Sequence, residues 1–140
     1  VAETSATPLT RKLGIKPEAR VALLAAPAGF DALLDPLPGG VSLSTALDGT
    51  EPFDVVVGFT LLRTEVADTI SSARPLMAPA AGLWIAWPKR SSGVPTEVSD
   101  DLVREIALPT GLVDNKVCAI DATWTGLRLV IRRELRPRTR

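Results

Sequence analysis

Gly82 to Pro95, GLWIAWPKRSSGVP, changes character at its midpoint. Gly82 to Trp87 is an unbroken apolar run of strand length, bounded by turn formers. Pro88 lacks a backbone donor and ends it. Lys89, Arg90, Ser91, Ser92 and Gly93 follow, polar and turn-prone, before the next helical pattern. A buried strand that runs into a cationic loop and then a helix is the repeating unit of an open α/β sheet. Ligands and partners gather at that carboxyl end.

The flanking sequence repeats this unit. Upstream, Phe53 to Phe59, FDVVVGF, holds three consecutive valines, whose β-branching favours an extended backbone. Arg20 to Ala26, RVALLAA, is a second continuous apolar run, suited to a strand buried on both faces. Val41 to Leu47 alternates with period two and reads as a more exposed strand. Helices are expected from Asp31 to about Pro36, from about Leu62 to Met77, and from Ser99, which can cap the first backbone N–H groups. In the second, Leu62, Val66, Ile70, Ala73 and Met77 recur at helical spacing, and Pro75 stands near its end. Leu112 to Ile120 and Leu127 to Arg132 read as a hairpin through Asp121 to Gly126. The order predicts a three-layer, mostly parallel sheet of six strands arranged 2-1-3-4-6-5, the last strand inserted antiparallel. Residues 13–133 form the expected domain, after an extended arm at 1–12 and before a basic tail at 134–140.

The residue inventory excludes several chemistries. The 140 residues include no histidine, no tyrosine and one cysteine, Cys118. Ser–His and Cys–His nucleophile pairs, zinc sites of His and Cys, and intrachain disulfides therefore cannot be built. Asp31, Asp54 and Asp121 show no paired spacing for acid–base work. No catalytic residue and no metal ligand set is assigned. The N-terminal stretch lacks the apolar core of a signal peptide, and no apolar run reaches the roughly 18 residues of a membrane span. A cytoplasmic protein is expected. Basic and acidic residues balance at 16 each, but from Arg128 onward six arginines face the single acid Glu134.

The layout from about Leu13 to Arg132 resembles the small-molecule methyltransferase variant of the Rossmann-like fold. LGIKPEARVALL is similar to the lead-in to the first strand of such enzymes, and LMAPAAGLWIAW to their approach to a late strand. That resemblance implies an S-adenosylmethionine site at a glycine-rich loop after the first strand, with an acid for the ribose after the second. Here the loop is Ala25-Ala26-Pro27-Ala28-Gly29-Phe30, with one glycine, and the acid near the second strand is Asp48. Cβ atoms and a missing N–H obstruct close backbone approach, so no cofactor is expected. RKLGIKPEARVALLAAPAGF, WPKRSSGVPTEVSDDLVRE and GLVDNKVCAIDATWTGLRLV look like a family of small actinobacterial proteins of unknown function. That likeness implies no activity.

Candidate contact residues follow from position. Lys89, Arg90, Ser91, Ser92 and Gly93 could present cations and backbone N–H groups to phosphate or carboxylate, although the P-loop spacing is absent. Trp87 adds apolar surface beside them. Trp124, placed in the hairpin loop, either packs on the sheet edge or meets a partner. Trp84 and Trp87, three apart on one strand, face opposite sides, and a buried indole N–H needs an acceptor. Asp114 and Lys116 could pair locally. Cys118 reads as an inert core residue. Arg136, Arg138 and Arg140 could touch an acidic partner. The leading expectation is a non-catalytic binding module, an accessory or regulatory subunit on a larger protein assembly. The alternatives are a degenerate methyltransferase-like enzyme or binder of a small anionic or nucleotide ligand, and, last, nucleic-acid contact through the arginine tail.

Overall fold

The computed structural model describes residues 8–136. Six strands make one sheet: β1 Arg20–Leu24, β2 Ser42–Ser44, β3 Phe53–Phe59, β4 Met77–Pro88, β5 Leu112–Ala119 and β6 Trp124–Ile131. Their order is β2-β1-β3-β4-β6-β5, as expected. β2, β1, β3 and β4 run parallel, and β6 lies antiparallel between β4 and β5. The helices α1 Leu9–Leu13, α2 Arg63–Ala73 and α3 Asp100–Ala107 cover the two faces.

The strand pattern explains the two cores. Alternate residues of β3 and β4 point to opposite faces. Val56, Leu83, Ile85 and Trp87 pack with Val66 and Ile70 of α2 and Val103 of α3. Val55, Val57, Trp84 and Ala86 pack on the other face with Leu13, Ile15, Phe30 and Leu34. The second face has a thin cover: α1 and a 3-10 turn, Phe30–Leu34. Trp84 and Trp87 thus face opposite sides. Trp84 is fully buried, and its indole Nε1 donates to the Leu13 carbonyl at 3.1 Å. No helix among the described residues is long and apolar enough to cross a membrane.

Several boundaries differ from the sequence reading. Leu9–Leu13 is helical, not an extended arm; Leu9 and Leu13, one turn apart, both pack on the sheet. Val1 to Thr7 lie outside the described residues. β2 shrinks to three residues because Thr45 to Leu47 leave β1. α2 stops at Ala73, a 3-10 turn holds Pro75, and Met77 already opens β4. Leu62 is exposed because it stands at the helix N-cap, where Glu65 Oε1 accepts from the Leu61 and Leu62 N–H groups at 2.8 and 3.0 Å. Ser99 caps α3 as expected, its Oγ accepting from Leu102 N at 3.2 Å. Asp114 does not pair with Lys116. It accepts from Arg104 Nε at 3.1 Å and ties α3 to β5, and Asp100 and Asp101 flank the same guanidinium.

Trp84→Phe should keep most of the packing but strand the Leu13 carbonyl, at a cost of about 1–3 kcal/mol. The check is a lower urea midpoint with an unchanged denaturant slope.

Candidate functional site

The sheet order reverses between β1 and β3, and their carboxyl ends are where an open α/β sheet forms its crevice. In this chain aromatic rings fill that place. Phe30, just past the β1 turn, meets Phe59 at the end of β3 edge-on, with centroids 4.8 Å apart. Phe59 meets Trp124 edge-on at 5.0 Å. Phe30 and Phe59 are buried and Trp124 is half-buried.

The turn beneath them has two left-handed positions but only one glycine. Ala25 has φ 57° and Gly29 has φ 81°. A left-handed alanine costs about 1–2 kcal/mol, so surrounding packing must hold it. Beside the turn lies a shallow hollow of about 290 Å³ lined by Leu23, Ala26, Pro27, Asp31, Leu43 and Thr45. Asp48, the acid that the resemblance suggests for the ribose, is tied elsewhere through its backbone. Its carbonyl accepts from Arg20 Nη2 at 2.9 Å, at the start of β1. The residues present therefore do not fit S-adenosylmethionine in the way the family resemblance implies.

A larger cleft opens at the end of β4. It holds about 450 Å³ and is lined by Trp87, Arg90, Gly93, Thr96, Ser99 and Asp100, among others. The loop that forms it is strongly braced. Lys89 N donates to the Thr123 carbonyl at 2.7 Å. Ser92 Oγ donates to the Lys89 carbonyl at 2.7 Å and accepts from Val94 N at 3.2 Å. Thr96 Oγ1 donates to the Leu61 carbonyl at 2.8 Å. Gly93 closes the turn at φ 77°.

The structure divides the sequence-derived residues. Trp87, Arg90 and Gly93 line the cleft. Lys89 and Ser91 are outside its lining, and the Ser92 hydroxyl is spent inside the loop. Trp124 is not in a loop: it begins β6, on the face opposite Trp87, and packs on Phe59. The turn before it is short because Asp121 Oδ1 accepts from the N–H groups of Thr123 and Trp124 at 2.8 and 2.7 Å. Arg136 lies past the far end of β6, its Nε donating to the Ile131 carbonyl at 2.9 Å, so it does not join the Lys89 loop. Arg138 and Arg140 lie outside the described residues. Thr96, Ser99 and Asp100 were missed as cleft residues; their place just beyond the cationic loop was the available signal. Among the described residues no cluster of three His, Cys, Asp or Glu could hold a metal.

Solved structures of low sequence identity share this fold. A SAM-dependent methyltransferase from Aquifex aeolicus superposes with a TM-score of 0.64, covering 88% of each chain at 13% identity. Fibrillarin from Aeropyrum pernix, solved with natively bound S-adenosyl-L-methionine, gives 0.59 over 90% of this chain and 70% of its own, at 16% identity. A TehB-like SAM-dependent methyltransferase from Corynebacterium glutamicum gives 0.54 over 94% of this chain and 92% of its own, at 10% identity. No family model and no curated protein matches the sequence. The fold is a methyltransferase-like, Rossmann-like α/β fold, with a six-stranded mixed sheet.

Phe30→Ala should cost about 3–5 kcal/mol through the cavity left beside Phe59, read by chemical denaturation. Cys118 is half-buried, and burial pushes its thiol above the ordinary range against the opposing pull of Lys12 and Lys116. A raised thiol pKa means the folded chain favours the protonated form. Its contribution to stability is present below the unfolded thiol pKa and is lost as pH rises through the folded value. Alkylation of the folded protein by iodoacetamide should accordingly switch on at higher pH than alkylation in urea.

Proposed function

We propose that this chain is a degenerate methyltransferase-like protein that binds a small anionic ligand at the carboxyl end of β4 and has given up the methyl-donor site after β1. The observation that carries this reading is the contrast between two places on one sheet edge. The reversal point is filled by Phe30 and Phe59, while the β4 end keeps an open cleft of about 450 Å³. That volume lies within the roughly 300–1,000 Å³ of small-ligand sites. Trp87 supplies an apolar wall and Arg90 a planar cation suited to phosphate or carboxylate. Among the described residues, the Arg90 side chain has no hydrogen-bond or ion-pair partner that would compete. Asp100, the acid in the lining, is drawn towards Arg104 at 3.4 Å.

A second reading, docking on a larger protein, draws support from apolar residues at the same edge. Leu61, Leu62 and Val94 are 38%, 47% and 40% exposed. The Leu61 carbonyl also accepts from the Glu97 N–H at 2.9 Å, which holds the two loops together.

Thermal denaturation with nucleoside phosphates, coenzyme A and S-adenosylmethionine separates these readings. The first expects a saturable stabilisation by a phosphate-bearing compound, about 2.7 kcal/mol at a hundredfold excess over Kd, lost in Arg90→Ala. S-adenosylmethionine should give no shift. A shift with S-adenosylmethionine that Ala26→Leu abolishes would sink the proposal, as would silence from every anionic compound. A stoichiometric protein partner recovered with the native chain, and lost in Val94→Asp, would favour the second reading.

A further inference from the structure

The cations on the α1 face are left unexplained by that cleft. Lys116 and Arg128 stand directly opposite each other on β5 and β6. Like charges in that register destabilise a sheet. The two side chains part. Lys116 Nζ donates to the Lys12 carbonyl at 3.2 Å. Arg128 lies across Gly82 on β4, where a Cβ would come within 2.9 Å of its Cζ. The absence of a side chain at Gly82 leaves room for this path of the guanidinium.

Arg128 ends half-buried with few partners. Its one side-chain hydrogen bond among the described residues runs from Nη1 to Asn115 Oδ1 at a long 3.4 Å. No carboxylate within the described residues forms an ion pair with it. Burial, helped by Arg136, lowers its pKa from the ordinary arginine value. A guanidinium has five N–H donors in a planar fork and stays charged, so poor pairing in a partly buried place is costly. The side chain forms one wall of a cleft of about 350 Å³, with Gly14, Lys16, Glu18, Asp54 and Ala80 on the other walls. Asp54 Oδ2 is already engaged, accepting from Arg20 N at 2.8 Å.

We propose that this cleft, at the amino end of the sheet, is a second site that binds a small oxyanion, carboxylate or phosphate, on the fork of Arg128 with Lys16 beside it. The fork fits two oxygens of either group. Glu18 and Asp54 on the opposite wall restrict the ligand to low charge, because a polyanion would meet them. The site is independent of the Trp87 cleft and lies at the other end of the strands.

Nitrogen-15 NMR of the full chain tests it. Sodium phosphate and sodium acetate are titrated separately against sodium chloride at matched ionic strength. The Arg128 Nε–Hε resonance should shift saturably with at least one of the two anions, and which one responds identifies the source. Lys16→Gln, an exposed change that leaves the fold intact, should weaken that binding about fivefold. Arg128→Lys keeps the charge but loses the fork, and should weaken it more than Lys16→Gln does. A linear, non-saturating response at Arg128 to both anions would overturn the proposal, as would an unchanged affinity in Lys16→Gln.

Discussion

Phe59 touches two rings at once, and the shape of the carboxyl edge depends on that contact. Its edge-on packing against Phe30 and Trp124 joins the turn after β1, the end of β3 and the start of β6. Such pairs contribute about 0.5–1.5 kcal/mol each beyond the area they bury. That is enough to offset the left-handed backbone of Ala25 next door. A sheet that reverses its order between β1 and β3 would otherwise leave a crevice at this point. Here the crevice has become core. A ligand entering it would have to expel buried aromatic surface, at roughly 1.5–3 kcal/mol per side chain.

The amino edge is fixed by a different device. Arg20 donates its backbone N–H to Asp54, its guanidinium to the carbonyls of Asp48 and Glu51, and its charge to the face of Phe53 at 4.2 Å. One side chain thereby gathers the loop after β2 to the start of β1. The consequence is functional. An acid meant for a ribose has to stand at the carboxyl edge, whereas the Asp48 backbone is held by the Arg20 side chain from the start of β1. The filled crevice and the retracted loop agree with each other, although they arise from unrelated interactions.

The sheet was legible in the sequence because its signals are local. Three valines in β3, a continuous apolar run in β1 and the apolar half of Gly82 to Pro95 each specify an extended, doubly buried segment. Alternation with helical spacing then fixes the order. The misread positions are those decided by distant partners. Leu9–Leu13 is too short to be a helix on propensity, and forms where Leu13 meets Trp84 across 71 residues. Trp124 reads as loop because Asp121 to Thr123 are turn formers, yet one carboxylate compresses that turn and lets β6 start early. Asp114 finds Arg104 rather than Lys116, because a bulge at Asn115 turns to opposite faces two residues that a regular strand would place on one face. The candidate cleft was half legible. Its strand, tryptophan and arginine could be read, whereas Thr96, Ser99 and Asp100 join it only because the loop folds back.

The antiparallel insertion of β6 explains why binding capacity would persist at the β4 end. A parallel neighbour would finish at this edge and leave its own free loop. β6 instead starts here, and its turn supplies the Thr123 carbonyl that holds Lys89 N. Ser92, Thr96 and Glu97 complete the bracing from the other side. A loop held at so many points loses little entropy when a ligand arrives, which is the condition for a small site to bind at all. The same bracing uses up the hydroxyls and backbone groups that a phosphate-cradling loop would offer. What would remain for recognition is the Arg90 guanidinium and the Trp87 ring in the same cleft lining, which together offer a charge and an apolar surface.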